Sequence, residues 1–329
     1  VTLLITGIAG FVGGHLVDLL RAEHPDEGIA GLVRPGTATP DHLRDGVRLL
    51  EADLEDPSAV EAAVAAVRPE SIIHLAGQSS VHESWADPAG TLRTNVIGLL
   101  HVFEAVRRRR LAPRVLVVGS AEEYGAVDAD AGPLTEDAPL RPLSPYAVSK
   151  VAQGYLALQY ALARDLPVVR TRTFPHTGPG RGDAFAESSF ARQIAEVEAG
   201  RRRPVLAVGN LDAVRDFTDV RDVVRAYRAL LERGASGEVY NVCSGRGRSI
   251  GDILRSLLEI SGVHVDLQVD RERLRPSDLP ALVGDPGKVR EATGWEPRIP
   301  LERTLRDLLD HWRERVGASA PPAPQGGRS

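Results

Sequence analysis

Tyr146 and Lys150 stand four residues apart in Ser144-Pro145-Tyr146-Ala147-Val148-Ser149-Lys150. That spacing puts both side chains on one face of a helix. An ammonium beside a phenol favours the phenolate and draws the tyrosine down from its ordinary pKa of about 10. Tyr146 is thereby suited to giving or taking a proton near neutral pH. Lys150 is one of two lysines in a chain with 38 arginines, so this position calls for a compact point charge rather than a planar fork. Pro145 fits the first helical turn, where its missing N–H costs nothing, and Ser144 is a good N-cap. A Tyr-x-x-x-Lys pair also occurs by chance on surface helices. Its meaning depends on what the rest of the chain could bring to it.

The amino terminus supplies a cofactor cradle. Residues 1–6 are an apolar run that reads as a buried strand, followed by Gly7-Ile8-Ala9-Gly10-Phe11-Val12-Gly13 and the helical pattern Leu16, Val17, Leu19, Leu20. Strand, glycine-rich turn and helix together form the dinucleotide-binding context. Gly7 permits the tight turn, Gly10 lets backbone approach a pyrophosphate, and Gly13 lets the helix pack on the strand. Phe11 and Val12 open the helix, whose free N–H groups face the phosphates. The second strand, 28–33, ends at Arg34 with no Asp or Glu there. An acidic residue at that place binds the ribose of NAD, whereas a guanidinium suits a 2′-phosphate. NADP(H) is therefore favoured and NAD(H) is the alternative. Asp53 and Leu54 follow a third strand, 47–52, with Asp53 either reaching the adenine or capping the helix near Pro57. Leu75 ends a fourth strand, 71–75, and Ala76 and Gly77 follow it, small residues that let the chain pass close to a cofactor.

A helix over 91–109, a fifth strand over 114–119 ending at Ser120-Ala121-Glu122-Glu123, the helix 145–164 and a sixth strand over 168–172 complete an alternating pattern. Such alternation gives an α/β, Rossmann-type doubly wound parallel sheet, with ligands at the carboxyl ends of its strands. Residues 1–173 are expected to form this NADP(H)-binding domain and to carry the Ser/Tyr/Lys site. After Thr173 the chain turns rich in proline and glycine, then passes through shorter helices and strands. Arginines punctuate the loops at 181, 215, 246, 248 and 275. Residues 174–316 are expected to be mainly a smaller α/β lobe gripping an anionic handle. Residues 317–329, rich in Ala, Pro, Gly and Ser, are expected to be a disordered tail.

Composition excludes several classes. With 43% hydrophobic and 26% charged residues and a net charge of −5, nothing calls for a nucleic-acid partner. The single cysteine, Cys243, cannot form an internal disulfide. No run approaches the roughly 18 apolar residues of a membrane span, and no basic-then-apolar leader opens the chain. The expectation is a cytoplasmic protein. The nine histidines show no ligand spacing, so no metal site is expected.

Taken together, Thr6-Gly7-x-x-Gly10-x-x-Gly13, a serine after the fifth strand and Tyr146-x-x-x-Lys150 resemble the extended short-chain dehydrogenase/reductases that act on nucleotide sugars. The resemblance spans roughly residues 1–315. It implies Ser120 as the residue that orients the substrate oxygen, Tyr146 as acid/base, and Lys150 as the residue that holds the nicotinamide ribose and tunes the tyrosine. Gly209-Asn210-Leu211-Asp212-Ala213-Val214-Arg215-Asp216-Phe217 and Leu274-Arg275-Pro276-Ser277-Asp278 look like the sugar-nucleotide segments of the GDP-mannose branch. The resemblance implies a GDP-sugar substrate, with Ser80, Ser120, Glu122, His176, Arg181, Asn210, Arg215 and Arg275 as the substrate-binding set. It also implies a homodimer through the helices 91–109 and 145–164.

Two activities occur in that branch: reduction of a 4-keto-6-deoxy sugar, and 4,6-dehydration of GDP-mannose. Residues 171–180, residues 216–222 and the short chain look more like the reductase. Glu122 stands where the dehydratase keeps its C5 base, and that keeps the dehydratase as the alternative. A non-catalytic dinucleotide sensor is a remote third reading, opposed by the intact Ser120, Tyr146 and Lys150. Proline at 175 replaces the family's usual asparagine.

Overall fold

Thr2–Thr6 (β1), Gly28–Val33 (β2), Val47–Glu51 (β3), Ser71–His74 (β4), Arg114–Ser120 (β5), Val168–Thr173 (β6) and Val239–Val242 (β7) form one sheet in the order β7-β6-β5-β4-β1-β2-β3. Every pairing is parallel. The computed structural model describes residues 2–38, 40, 43, 45–127, 132–273 and 279–318. Leu3, Leu4 and Ile5 of β1 and all of β4 are buried, as near-continuous apolar runs must be in a sheet covered on both faces.

On one face, Leu16, Val17 and Leu20 of Phe11–Glu23 (α1) pack with Val223, Tyr227 and Leu230 of helix Val220–Arg233. On the other, Val60 and Val64 of Pro57–Val67 (α2) pack with Val102, Phe103 and Val106 of helix Gly98–Arg108 and with Ala157 and Tyr160 of helix Pro145–Arg164. The strand order reverses direction between β1 and β4. In open α/β sheets that switch point, at the carboxyl ends of the strands, is where ligands bind.

The chain does not leave this lobe for good at residue 174. Helix Val220–Arg233, strand β7 and Trp295 return to it, with β7 pairing along β6 from Val239 opposite Arg170 to Val242 opposite Thr173. The second lobe has its own core of Phe190, Ile194, Leu254, Leu257, Leu308 and Trp312. Those residues come from helices Ala186–Glu198, Ile250–Ser261 and Leu301–Ala318. Three small sheets flank it, formed by 176–177 with 218–219, 205–208 with 266–269, and 214–216 with 247–249 and 281–282. Asp219 ties the halves together. It accepts from the Arg221 backbone and guanidinium and from Thr304 of the last helix.

One expected element is broken. In place of a continuous helix over 91–109 there are Pro88–Leu92, a π-helical turn Arg93–Ile97, and Gly98–Arg108. The buried Asn95 sits in the π turn and points its amide inward, to the Gln78 backbone and Ser149. Single π turns inside α-helices are frequent at functional sites. Among the described residues no helix is long and apolar enough to cross a membrane, and no group of three or more metal-ligating side chains occurs.

Candidate active site

Ser120 ends β5 at the carboxyl edge of the sheet and N-caps the short turn Ala121–Glu123. Its Oγ accepts from Glu122 N (3.2 Å), and its own N–H donates to Glu123 Oε1 (2.9 Å). This is a capping box, and the pattern Ser-x-x-Glu makes it legible in the sequence. Tyr146 and Lys150 occupy the first turns of helix Pro145–Arg164, capped by Ser144 Oγ accepting from Ala147 N (3.1 Å). Ser120, Tyr146 and Lys150 are 8%, 8% and 6% exposed. The Ser120 hydroxyl acts on the Tyr146 phenol and lowers its pKa.

The electrostatics differ from the sequence expectation. Burial pushes the Tyr146 phenol up to about 12; the Ser120 hydrogen bond and Arg181 pull it down, while Glu122 and Glu123 push it further up. Lys150 does not set this balance, because its ammonium is engaged elsewhere. Nζ donates to Val118 O (3.0 Å) and to Gln153 Oε1 (2.8 Å). Burial pushes Lys150 down to about 8, opposed by Glu123. The lysine–tyrosine coupling expected from their spacing is thus replaced by a lysine docked against the sheet. Geometry explains this: i and i+4 share a helix face, but a long lysine can turn toward backbone carbonyls of the strand beneath.

Three partners were not singled out for function from the sequence. Glu123 is buried and pairs with buried Arg172 (3.2 Å), which also donates to the Tyr124 hydroxyl (3.2 Å) and Glu136 O (2.8 Å). Burial raises the Glu123 carboxyl, while the Ser120 N–H and Arg172 lower it. Gln153, 1% exposed, stands three residues from Lys150, a same-face helical spacing that could have revealed it. Asn95 joins the loop after β4 to Ser149 (Nδ2 to Oγ 2.8 Å), one residue before the lysine. Nothing in its local sequence marks it.

The glycine turn fits a dinucleotide. Gly7 has φ +72°, and a Cβ there would lie 2.8 Å from Ala76 Cα and N. A Cβ on Gly13 would lie 2.2 Å from Ile8 O, so only glycine lets α1 sit this close to the turn. Gly10 N-caps α1 without a side-chain partner, and the first turn carries no acidic residue. These free N–H groups suit a pyrophosphate. Val12 lies in that turn beside Phe11. The Leu75 N–H donates to Thr6 O (3.2 Å), the Ala76 N–H to Thr6 Oγ1 (3.2 Å), and a Cβ on Gly77 would lie 2.9 Å from Asn95 Oδ1 and 3.7 Å from Lys150 Nζ. The β1 and β4 loops and Lys150 therefore meet at the switch point. Arg34 follows β2 and is exposed. Asp53 accepts from Glu55 N (2.9 Å); the cap on α2 is Asp56 instead. Leu54 is buried, and its carbonyl accepts from His101 (2.7 Å).

The loop after β6 closes over Phe11. His176 stacks on the Phe11 ring at 6.2 Å and donates from Nδ1 to Phe174 O (3.0 Å). Burial, with Arg181 assisting, lowers its pKa to about 4, so the imidazole is neutral. The Arg181 guanidinium lies 5.1 Å from the Phe11 ring centre and 3.3 Å from that of Phe185, with Glu187 at 3.8 Å. Its field reaches Tyr146. Pro175, lacking an N–H, still accepts from Thr218 N through its carbonyl (3.0 Å).

Ser120, Glu122, Glu123, Tyr146 and Arg181 thus form one electrostatically linked group, and Lys150 joins it through Glu123. Other expected residues stand on separate elements. Ser80 caps helix Val81–Ala86. Asn210 follows the 205–208 strand, and its Oδ1 accepts from Asp212 N (3.0 Å). Arg215 donates to Val214 O (2.9 Å) and Leu279 O (2.7 Å). Arg275 and the tail from 319 onward lie outside the described residues. Cys243 is buried, and burial raises its thiol pKa, which opposes nucleophilic use.

A parallel Rossmann sheet, a glycine turn at its switch point and a Ser–Tyr–Lys group at the same edge define an extended short-chain dehydrogenase/reductase, an NAD(P)-dependent enzyme class. Within it, the chain belongs to the GDP-mannose 4,6 dehydratase family, whose sequence model matches residues 4–308. It is 37% identical over 315 residues to the GDP-6-deoxy-D-mannose reductase of Pseudomonas aeruginosa, covering 95% of this chain and 98% of that protein. It is 28% identical over 325 residues to GDP-mannose 4,6 dehydratase 2 of Arabidopsis thaliana, covering 93% and 85%. The structure of RMD from Pseudomonas aeruginosa complexed with NADPH superposes with a TM-score of 0.85 at 36% identity, covering 96% of this chain and 99% of that one.

Proposed function

We propose that this protein reduces the C4 ketone of GDP-4-keto-6-deoxy-D-mannose with NADPH, giving GDP-D-rhamnose. The observation that carries this is the end-to-end 37% identity to a GDP-6-deoxy-D-mannose reductase, on a chain that keeps Ser120, Tyr146 and Lys150 at one sheet edge. NADPH in the related structure and Arg34 at the end of β2 support NADP(H). Gly7, Gly10, Phe11, Val12 and Gly13 would hold its pyrophosphate, Arg34, Asp53 and Leu54 its adenosine end, and Leu75, Ala76, Gly77, Tyr146 and Lys150 its nicotinamide half. When bound, the reduced nicotinamide supplies a hydride.

The chain's own residues do the rest. Ser120 donates a hydrogen bond to the C4 oxygen and Tyr146 gives it a proton as negative charge develops. The phenol, held near 12, is fully protonated at neutral pH and so is set as the acid of a reduction. Ser80, Glu122, His176, Arg181, Asn210, Arg215 and Arg275 would contact the GDP-sugar, with arginines suited to the diphosphate. Turnover of the keto sugar with NADPH tests this directly.

A 4,6-dehydratase is the alternative, favoured by one observation: the charge of the Glu122 carboxylate acts on the Tyr146 phenol, so a carboxylate suited to a base role belongs to the same site. Glu122→Gln separates the two. A reductase keeps its kcat, with any loss confined to KM for the sugar nucleotide, and a dehydratase loses kcat.

The exposed Val148, Tyr155 and Leu162 repeat at seven-residue spacing along one stripe of helix Pro145–Arg164, with Leu92 and Ile97 exposed on the neighbouring segment. An apolar stripe of this kind calls for a partner, which supports a homodimer through these helices. The biosynthetic reaction and the chain composition support a cytoplasmic location.

A further inference from the structure

We propose that Gln153 is a positioning residue that docks Lys150 against the sheet and sustains its charge through a buried amide–ammonium hydrogen bond. The Lys150 Nζ to Gln153 Oε1 distance is 2.8 Å, and both residues are buried. The amide orientation is dictated by chemistry. A lysine ammonium has donors only, so Gln153 must face it with its oxygen. The second acceptor is Val118 O at 3.0 Å. Both lie toward β5, so the ammonium is drawn to the strand rather than to the phenol.

The inner side of Gln153 carries a further constraint. Gln153, Glu123 and Arg170 line one small cavity beneath Gly119 and Thr171. Gln153 Nε2 and Arg170 Nε have no hydrogen-bond partner in the protein. An amide so placed is a costly choice for a core position. A leucine would fill the space without that cost, so the amide needs a reason, and its contact with Lys150 supplies one. The charged and titratable groups acting on Lys150 are His74 from β4 and Glu123 from the turn after β5, while Tyr146 shares its helix without acting on it. Arg170 and Arg172 of β6 act through Glu123. His74 is buried and neutral, held near 3. Glu123 is committed to Ser120 and Arg172. Gln153 is therefore the side chain hydrogen-bonded to the ammonium itself.

The proposal rests on Lys150 serving the reductase site described above, and its test is separable from that assignment. The chain has two lysines, Lys150 and Lys288. Protein labelled with 13C-lysine therefore gives two side-chain signals, assigned with Lys288→Arg. Titrated by NMR, the Lys150 signal should change with a midpoint near pH 8. Gln153→Leu should lower that midpoint by about one pH unit, the order expected for losing a hydrogen bond to a charged group. Gln153→Glu should raise it. The alkaline limb of kcat/KM should move in the same sense in each variant.

A merely structural role would lower the melting temperature and leave both midpoints in place, and that result overturns the proposal. If Gln153→Glu fails to fold, the Gln153→Leu shift decides alone. Wild-type protein that fails to oxidise NADPH, yet shows the lysine shifts, would refute the reductase assignment and uphold the role of Gln153.

Discussion

Tyr146 and Lys150 were legible from spacing, but their relationship was not. Helical periodicity predicts which face a side chain leaves from, not which acceptor a four-carbon stem finds. Here Val118 O and Gln153 capture the ammonium, and burial, not the lysine, dominates the phenol. Tyr146→Phe should lower kcat by about 10²–10⁴-fold, the usual worth of a positioned acid. NADPH affinity should stay within about twofold, measured by fluorescence titration, because the ring and the other cofactor contacts remain; a large loss of affinity would mean that the hydroxyl anchors the cofactor rather than supplying the proton. The pH dependence follows from signs. Tyr146 keeps its proton to about 12, so its titration does not limit reduction below that. Lys150 is depressed to about 8 from an ordinary value near 10.5, so it loses charge first. Reductive kcat/KM should be level to about pH 8 and fall above it. The linked stability term has the opposite sense: between about 8 and 10.5 the unfolded chain binds a proton that the folded one does not, so stability gains as pH rises through that window.

Elements carry the site by their ends. The glycine turn, the capping box at Ser120-x-x-Glu123 and the N-capped helix at Ser144 each announce themselves in sequence, because each needs particular residue types at fixed offsets. The π turn at 93–97 does not. It holds Asn95, whose partners Gln78 and Ser149 lie 17 and 54 residues away in the chain, and no local pattern encodes such partners. The close approach of α1 to the glycine turn makes a sharp prediction. Gly13→Val would put a side chain 2.2 Å from Ile8 O, where only backbone can yield. It should push α1 from β1 and weaken NADPH binding at least tenfold, read by titration calorimetry. Unchanged affinity would mean that the α1 amino terminus does not hold the cofactor.

At the scale of the whole molecule, the doubly wound sheet was legible through β6 because strands and helices alternate in order. The return of β7 and helix Val220–Arg233 was not. Four-residue Val239–Val242 looks the same whether it joins the first sheet or a small one, and its partner β6 lies some seventy residues away. This interleaving makes the lobes share packing, with β7 paired along β6 and Arg172 of β6 bonded to Glu123 and Tyr124. The exposed Val148–Tyr155–Leu162 stripe belongs to this scale too. Tyr155→Glu with Leu162→Asp should convert a dimer to a monomer in analytical ultracentrifugation without unfolding it. A wild-type protein already monomeric at micromolar concentration would remove the dimer.

The proposed reaction moves a hydride from NADPH to C4 of a 4-keto-6-deoxy sugar nucleotide. The most direct measurement supplies NADPH deuterated at the transferable C4 position together with GDP-4-keto-6-deoxy-D-mannose, and locates the label in the product by NMR. Stoichiometric loss of NADPH with deuterium at sugar C4 is the predicted result. No NADPH oxidation, with GDP-mannose instead converted to a 4-keto-6-deoxy sugar in the absence of added reductant, would contradict it.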